Sequence, residues 1–208
     1  MRPSMLETTS VTHLSNFRRH SHIAKAGDHC SSLYRIRHGW ACRYQCLPDG
    51  KRQITSFYLP GDLCEPHWLL AGQAALPVLC LTPLTALRIP ITQIHQSKSP
   101  DVKDVLGAMV ADYERQAKWL VQLGRGTAAE RLVFLLSDLW QRLSPSESTV
   151  HIPLTQVEIA DIVGLTSVHT NRVLHSLERE GIVELHGRSL SATSKVVPAL
   201  SERLSSYA

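Results

Sequence analysis

Asn171 and Arg172 are the side chains of this sequence best suited to reading another molecule by hydrogen bonding. The Arg172 guanidinium offers a rigid fork of donors suited to a base edge, while Asn171, like His169, could meet a base or only touch phosphate or water. A second grouping is Cys64, Glu65 and His67. On a helix Cys64 and His67 would share a face, where they could hold a metal ion or expose a redox-sensitive thiol, and they are candidate sensor residues. The plainer reading is a buried cysteine and a satisfied histidine. Cys42 and Cys46 lie about 13 Å apart along a strand and cannot share one ion. No nucleophile–base pairing, phosphate-cradling glycine loop or HExxH pattern occurs, so the sequence predicts no enzyme, no metal site and no cofactor.

Local signals show how the first pair would be held. Thr155 is a good helix N-cap, and Glu158, three residues later, completes a capping box. Ile159, Ile162 and Val163 give that short helix an apolar face, and Gly164 supplies the positive φ of a tight exit. Thr166 caps a second helix whose inward stripe is Thr170, Val173, Leu174 and Leu177. Ser167, Val168, His169, Asn171 and Arg172 fall in its first two turns, which meet base edges when such a helix lies in a major groove. The run from Gly181 to Ser191 reads as two strands around a glycine turn, a wing carrying Arg188. The sequence therefore predicts a winged helix-turn-helix, with Thr166, Ser167, Val168, His169, Asn171, Arg172 and Arg188 as DNA contacts.

The first half has a different rhythm. Between Ser31 and Pro90, β-rich runs are cut about every ten residues by turns such as Gly39, Pro48-Asp49-Gly50 and Pro60-Gly61-Asp62, the pattern of a small β-barrel or roll. From Lys103 the period becomes seven. Leu106, Met109, Tyr113, Leu120 and Leu123 take core positions with Gln116 the polar member, as expected of a long helix whose stripe packs on its own roll or, the preferred reading, pairs with its copy in a dimer. Gly124-Arg125-Gly126 ends it as a hinge, and a further helix runs from about Thr127 to Leu143. The expected fold is α+β: an N-terminal jelly-roll-like β-roll (1–95), a dimerisation helix (96–123) and a C-terminal winged helix-turn-helix (124–208).

Bulk properties narrow the class. The uncharged run Pro66 to Leu87 is long enough to cross a bilayer, but Pro66, Pro77, Pro83, His67 and Gln73 break it as an apolar helix. No membrane span is predicted. The first twenty residues lack a secretory pattern, and five cysteines at irregular spacing do not form a disulfide framework, which together predict a cytoplasmic protein. The formal net charge is +4, yet from Gly124 onward there are eight Lys/Arg against nine Asp/Glu. A nucleic-acid reading rests on local pattern, not on net charge.

Across nearly its whole length the sequence resembles the Crp/Fnr superfamily of bacterial transcription regulators. Gly39-Trp40-Ala41-Cys42-Arg43-Tyr44, Leu47 to Ile54 and Leu59-Pro60-Gly61-Asp62 are similar to that family's sensory roll. Gly126 to Leu132 and Thr155 to Leu174 are similar to its DNA-binding domain. The resemblance implies a cyclic-nucleotide-binding-like fold, a homodimer on a palindromic double-stranded operator, and RNA polymerase as a further partner. It also implies that Arg172 contacts guanine. Three departures matter. Gly61 to Leu79 contains no arginine to meet a phosphodiester, so no cyclic AMP binding is expected. No cysteine precedes Cys30, so no N-terminal iron–sulfur ligand set is expected. Ser167-Val168 replaces an arginine–glutamate pair, which implies a different operator from that of the cyclic-AMP receptor. The rival reading is a small-molecule or redox sensor whose C-terminal domain docks on a protein; only DNA binding would give affinity that falls steeply with salt.

Overall fold

Turn residues and short apolar runs divide the first half of the chain into eight strands. These are β1 (His13–Phe17), β2 (His22–Ala24), β3 (Ser32–His38), β4 (Ala41–Cys46), β5 (Arg52–Tyr58), β6 (Leu63–Cys64), β7 (Val78–Cys80) and β8 (Leu84–Pro90). The computed structural model describes residues 13–96, 99–143, 148–186 and 189–205. By contacts the chain forms two units, residues 1–46 with 54–116, and 47–53 with 117–208.

In the first unit the strands form two four-stranded sheets, ordered β1-β8-β3-β6 and β2-β7-β4-β5. In the first sheet β8 pairs antiparallel with both β1 and β3, setting Leu33 opposite Ile89 and Ile36 opposite Ala86. These side chains join Ala41, Tyr58, Leu63, Cys64, Trp68, Val78 and Leu84 in one buried cluster. β1 and β2 precede the point where the sequence pattern signals strands. β1 is an edge strand with mostly exposed side chains, so it carries little hydrophobic alternation.

Three helices belong wholly or partly to this unit: α1 (Trp68–Ala71), α2 (Ile91–Gln96) and α3 (Ser99–Arg125). Ile94 and Val105 are fully buried in the roll cluster, and Met109 packs against it. Arg35 pairs with Asp104 on α3. The face of α3 turned to the roll is thus Val105 and Met109, four residues apart. Leu106, Val110, Tyr113, Leu120 and Val121 remain exposed. Of the sequence-derived seam, Leu106, Tyr113 and Leu120 are exposed, whereas Met109 packs in part against the roll and Leu123 is half-buried. The exposed stripe advances Leu106, Val110, Tyr113, Ala117, Leu120, a four-then-three spacing. α3 continues through Gly124 to Arg125, and the break falls at Gly126, where a Cβ would lie 2.8 Å from the Gln122 carbonyl oxygen.

The second unit contains α4 (Ala128–Leu143), β9 (Thr149–Ile152), α5 (Gln156–Val163), α6 (Ser167–Arg179), β10 (Val183–His186), β11 (Ser189–Thr193) and α7 (Val196–Ser205). Leu132, Val133, Leu135, Leu136 and Leu139 of α4 are buried, as are Ile159, Ile162 and Val163 of α5 and Leu174 and Leu177 of α6. The sheet order is β10-β11-β9, so the wing has a third strand that the sequence pattern does not show. Burying one face of α4, α5 and α6 leaves the other face of α6 free to meet a partner.

Candidate nucleic-acid interface

Two capped helices and a left-handed glycine set the geometry of the interface. Thr155 is extended (φ −74°, ψ 158°), and its Oγ1 accepts the Glu158 N–H at 3.2 Å while the Glu158 carboxylate accepts the Thr155 N–H at 2.7 Å. Both ends of the capping box are therefore made. Gly164 lies at φ 67°, ψ 40°, its N–H donating to the Ala160 carbonyl, and a β-carbon there would be strained. Thr166 is again extended, and its Oγ1 accepts the His169 N–H at 3.2 Å to start α6.

α6 then divides sharply. Thr170, Leu174 and Leu177 are fully buried, with Val173 half-buried beside them. Thr166, Ser167, Val168, His169 and Arg172 are exposed, and Asn171 is half-buried at the margin. An exposed valine, 71% accessible, among polar residues at a helix start has no core to fill. It suits contact with an apolar patch such as a thymine methyl. Arg188 lies outside the described residues.

The wing places its polar groups on one face. In the β10–β11–β9 register His186 opposes Ser189, while Ser191 opposes both Glu184 and His151. Val183, Leu190, Ala192, Val150 and Ile152 fill the other face. His151 Nδ1 and Ser189 Oγ are 3.2 Å apart. Cross-strand neighbours share a face, so the exposed side of the wing is polar.

Sequence reasoning missed Arg131. Its Nε donates to the Gly126 carbonyl at 3.0 Å and its Nη1 to the Val163 carbonyl at 3.3 Å, joining the start of α4 to the end of α5. It also missed a second capping pair, in which the Glu130 carboxylate accepts the Thr127 N–H at 2.6 Å. The signal was present as Thr127 followed three residues later by Glu130.

The Cys64–His67 pairing does not form, because Cys64 lies on β6 and His67 precedes α1. Between them Glu65 adopts φ 48°, which turns the chain and prevents a shared helical face. Cys64 is fully buried, and burial pushes its thiol well above the ordinary range. Cys80 is likewise pushed up to about 11 by burial. Burial of this kind disfavours the thiolate, the form a reactive or metal-binding cysteine needs.

The residue between them carries the interest. Glu65 is 1% exposed and accepts from Tyr58 Oη at 2.5 Å and Arg43 Nη1 at 3.2 Å, with His67 Nδ1 3.1 Å from its carboxylate. Arg43 also donates to Thr55 Oγ1 and Ser56 Oγ, so its guanidinium is committed inside the roll. That occupancy, with no arginine from Gly61 to Leu79, does not fit a bound cyclic nucleotide.

Comparison with known proteins accords with this geometry. Residues 14–97 match the cyclic nucleotide-binding domain and residues 114–196 the Crp-like helix-turn-helix domain. The transcriptional activator protein FnrL of Cereibacter sphaeroides is 30% identical over 172 residues, covering 78% of this chain and 69% of that protein. The anaerobic regulatory protein of Haemophilus influenzae is 27% identical over 175 residues, covering 81% of this chain and 68% of that one. Among solved structures FixK2 of Bradyrhizobium japonicum superposes with a TM-score of 0.79 at 22% identity, covering 89% of this chain and 93% of that one. Both domains of the match and the exposed, capped start of α6 lead to one conclusion: the chain belongs to the Crp/Fnr family of DNA-binding transcription regulators.

Proposed function

We propose that the protein binds a palindromic operator as a homodimer, each protomer laying α6 in a major groove, and so favours or blocks RNA polymerase at the promoter it occupies. The observation that carries this reading is the division of α6. Its buried stripe fixes the helix on α4 and α5, while Ser167, Val168, His169 and Arg172 stay exposed in the turns that would reach bases. Asn171 and Thr166 complete that contact set, and Arg188 would touch backbone from the wing. Dimerisation is supported by the exposed stripe Leu106, Val110, Tyr113 and Leu120, which is too apolar for a helix face that stays in water. The operator half-sites would then mirror the two-fold axis. The roll would not take up cyclic AMP, its interior guanidinium being already held by Glu65. A protein with this work acts where the nucleoid is, in the cytoplasm.

Arg172→Ala tests the placement of α6. A bidentate arginine–guanine pair is worth about 1–3 kcal/mol of discrimination, so one base position in each half-site should lose about one to two decades of preference. Affinity for random duplex, which depends on phosphate contacts, should change little at constant salt. Arg188→Ala is the matched control and should weaken all sequences alike. Equal losses on operator and random duplex for Arg172→Ala would make Arg172 a backbone contact and remove α6 from the groove.

A further inference from the structure

Gln156 is the first residue of α5, exposed, and fixed in place by the capping box on its N-terminal side. Its Nε2 donates to Asn171 Oδ1 across the helix-turn-helix at 3.3 Å. Asn171 stands one residue before Arg172, at the edge of the exposed face of α6. Both backbones are held by caps and by the buried stripes of their helices, so the contact joins two positions that do not wander.

The chemistry of a carboxamide gives this contact a consequence. Its oxygen end accepts and its nitrogen end donates, and the two ends are nearly the same size, so a free asparagine turns over at little cost and offers a base either end. With Gln156 Nε2 donating to Oδ1, one of the two arrangements is the one this contact favours. It leaves the Nδ2 hydrogens as the group presented outward. In the major groove the acceptors are purine N7, guanine O6 and thymine O4, whereas cytosine presents only its N4 donor.

Resting on the proposed insertion of α6 in the groove, we propose that Gln156 is a specificity-determining positioning residue. It orients the Asn171 amide so that the base beneath Asn171 is read as an acceptor and cytosine is rejected. The residue touches no base itself. Its effect passes through the amide of Asn171.

Glutamate at the same place separates this role from a structural one. A carboxylate can only accept, so Gln156→Glu draws the Nδ2 end of Asn171 inward and turns Oδ1 outward, reversing what the base must offer. The experiment is selection from a randomised operator with the full-length protein, followed by measured relative affinities of the four bases at every position. Wild type, Asn171→Ala, Gln156→Ala and Gln156→Glu are compared at one salt concentration. Preferences are compared as ratios, because the added carboxylate also repels phosphate and lowers affinity for every sequence. Asn171→Ala should flatten one position per half-site by about tenfold, and Gln156→Ala should flatten that same position. Gln156→Glu should exchange the preference there, cytosine or adenine rising over guanine and thymine. If Asn171→Ala flattens one position while both Gln156 variants keep the wild-type ratios, Gln156 does not orient Asn171 and the inference falls alone. If Asn171→Ala leaves every position unchanged, the helix does not read bases at Asn171, and the proposed contact set falls with it.

Discussion

The roll turns its charge inward, whereas the winged helix turns its polar groups outward. In the roll Arg43 and Glu65 are paired at 3.2 Å, with the glutamate 1% exposed. In the winged helix the buried carboxylates among the described residues, Glu130 and Glu158, each close the start of a helix, and the groups able to read a partner stand on the open face of α6. Formal charge runs the other way, with 14 Lys/Arg against nine Asp/Glu before Gly124 and eight against nine after it. Excess positive charge therefore does not locate the reading surface. On the proposed reading, recognition would rest on a few placed hydrogen-bonding groups more than on steering by a basic field.

The largest expected effect lies in the roll. Glu65→Ala leaves the Arg43 guanidinium and the Tyr58 hydroxyl without their shared acceptor, and the loss should be about 3–5 kcal/mol of stability. Denaturant unfolding followed by tryptophan fluorescence measures it. The double variant Arg43→Met with Glu65→Leu should cost clearly less than the two single losses added together. A loss below about 1 kcal/mol for Glu65→Ala would mean that the roll does not depend on this buried charge, and the contrast between the regions would vanish.

The next effect lies on the exposed stripe of α3. Leu106→Asp with Leu120→Asp sets charges in the proposed seam at a cost of several kcal/mol per dimer, and sedimentation at micromolar concentration should show monomers. Met109→Asp should instead destabilise the roll, because Met109 packs on its core. Should the double variant remain dimeric, the partner surface lies elsewhere. The smallest effect is local to the reading head. Thr155→Ala removes one side of a capping box and should cost about 1 kcal/mol of thermal stability. A cost as large as that of Glu65→Ala would show that the winged helix also hangs on one buried polar group.

What the sequence made legible was local. Thr155 with Glu158, Gly164 at the turn and Thr166 before α6 each declare themselves within four residues, because caps and turns are short-range physics. The Glu65 cluster joins residues 22 apart at Arg43 and seven apart at Tyr58, and no periodicity announces such a meeting. Which apolar residues of α3 stay exposed was hidden for a similar reason. Met109 and Val110 are both apolar, and only the roll lying against α3 decides which of them is covered. The spacing of Cys64 and His67 fitted a helix that the positive φ of Glu65 forbids.

That glutamate also constrains how this sequence can drift. Glu65 is the acceptor shared by Arg43 and Tyr58 away from water, so replacing the glutamate strands both donors, whereas replacing the tyrosine leaves the Arg43–Glu65 pair in place. Drift at Glu65 is therefore expected to need a second change at Arg43, while Tyr58→Phe is open as a single step, and the stabilities of those variants measured singly and in pairs would check it.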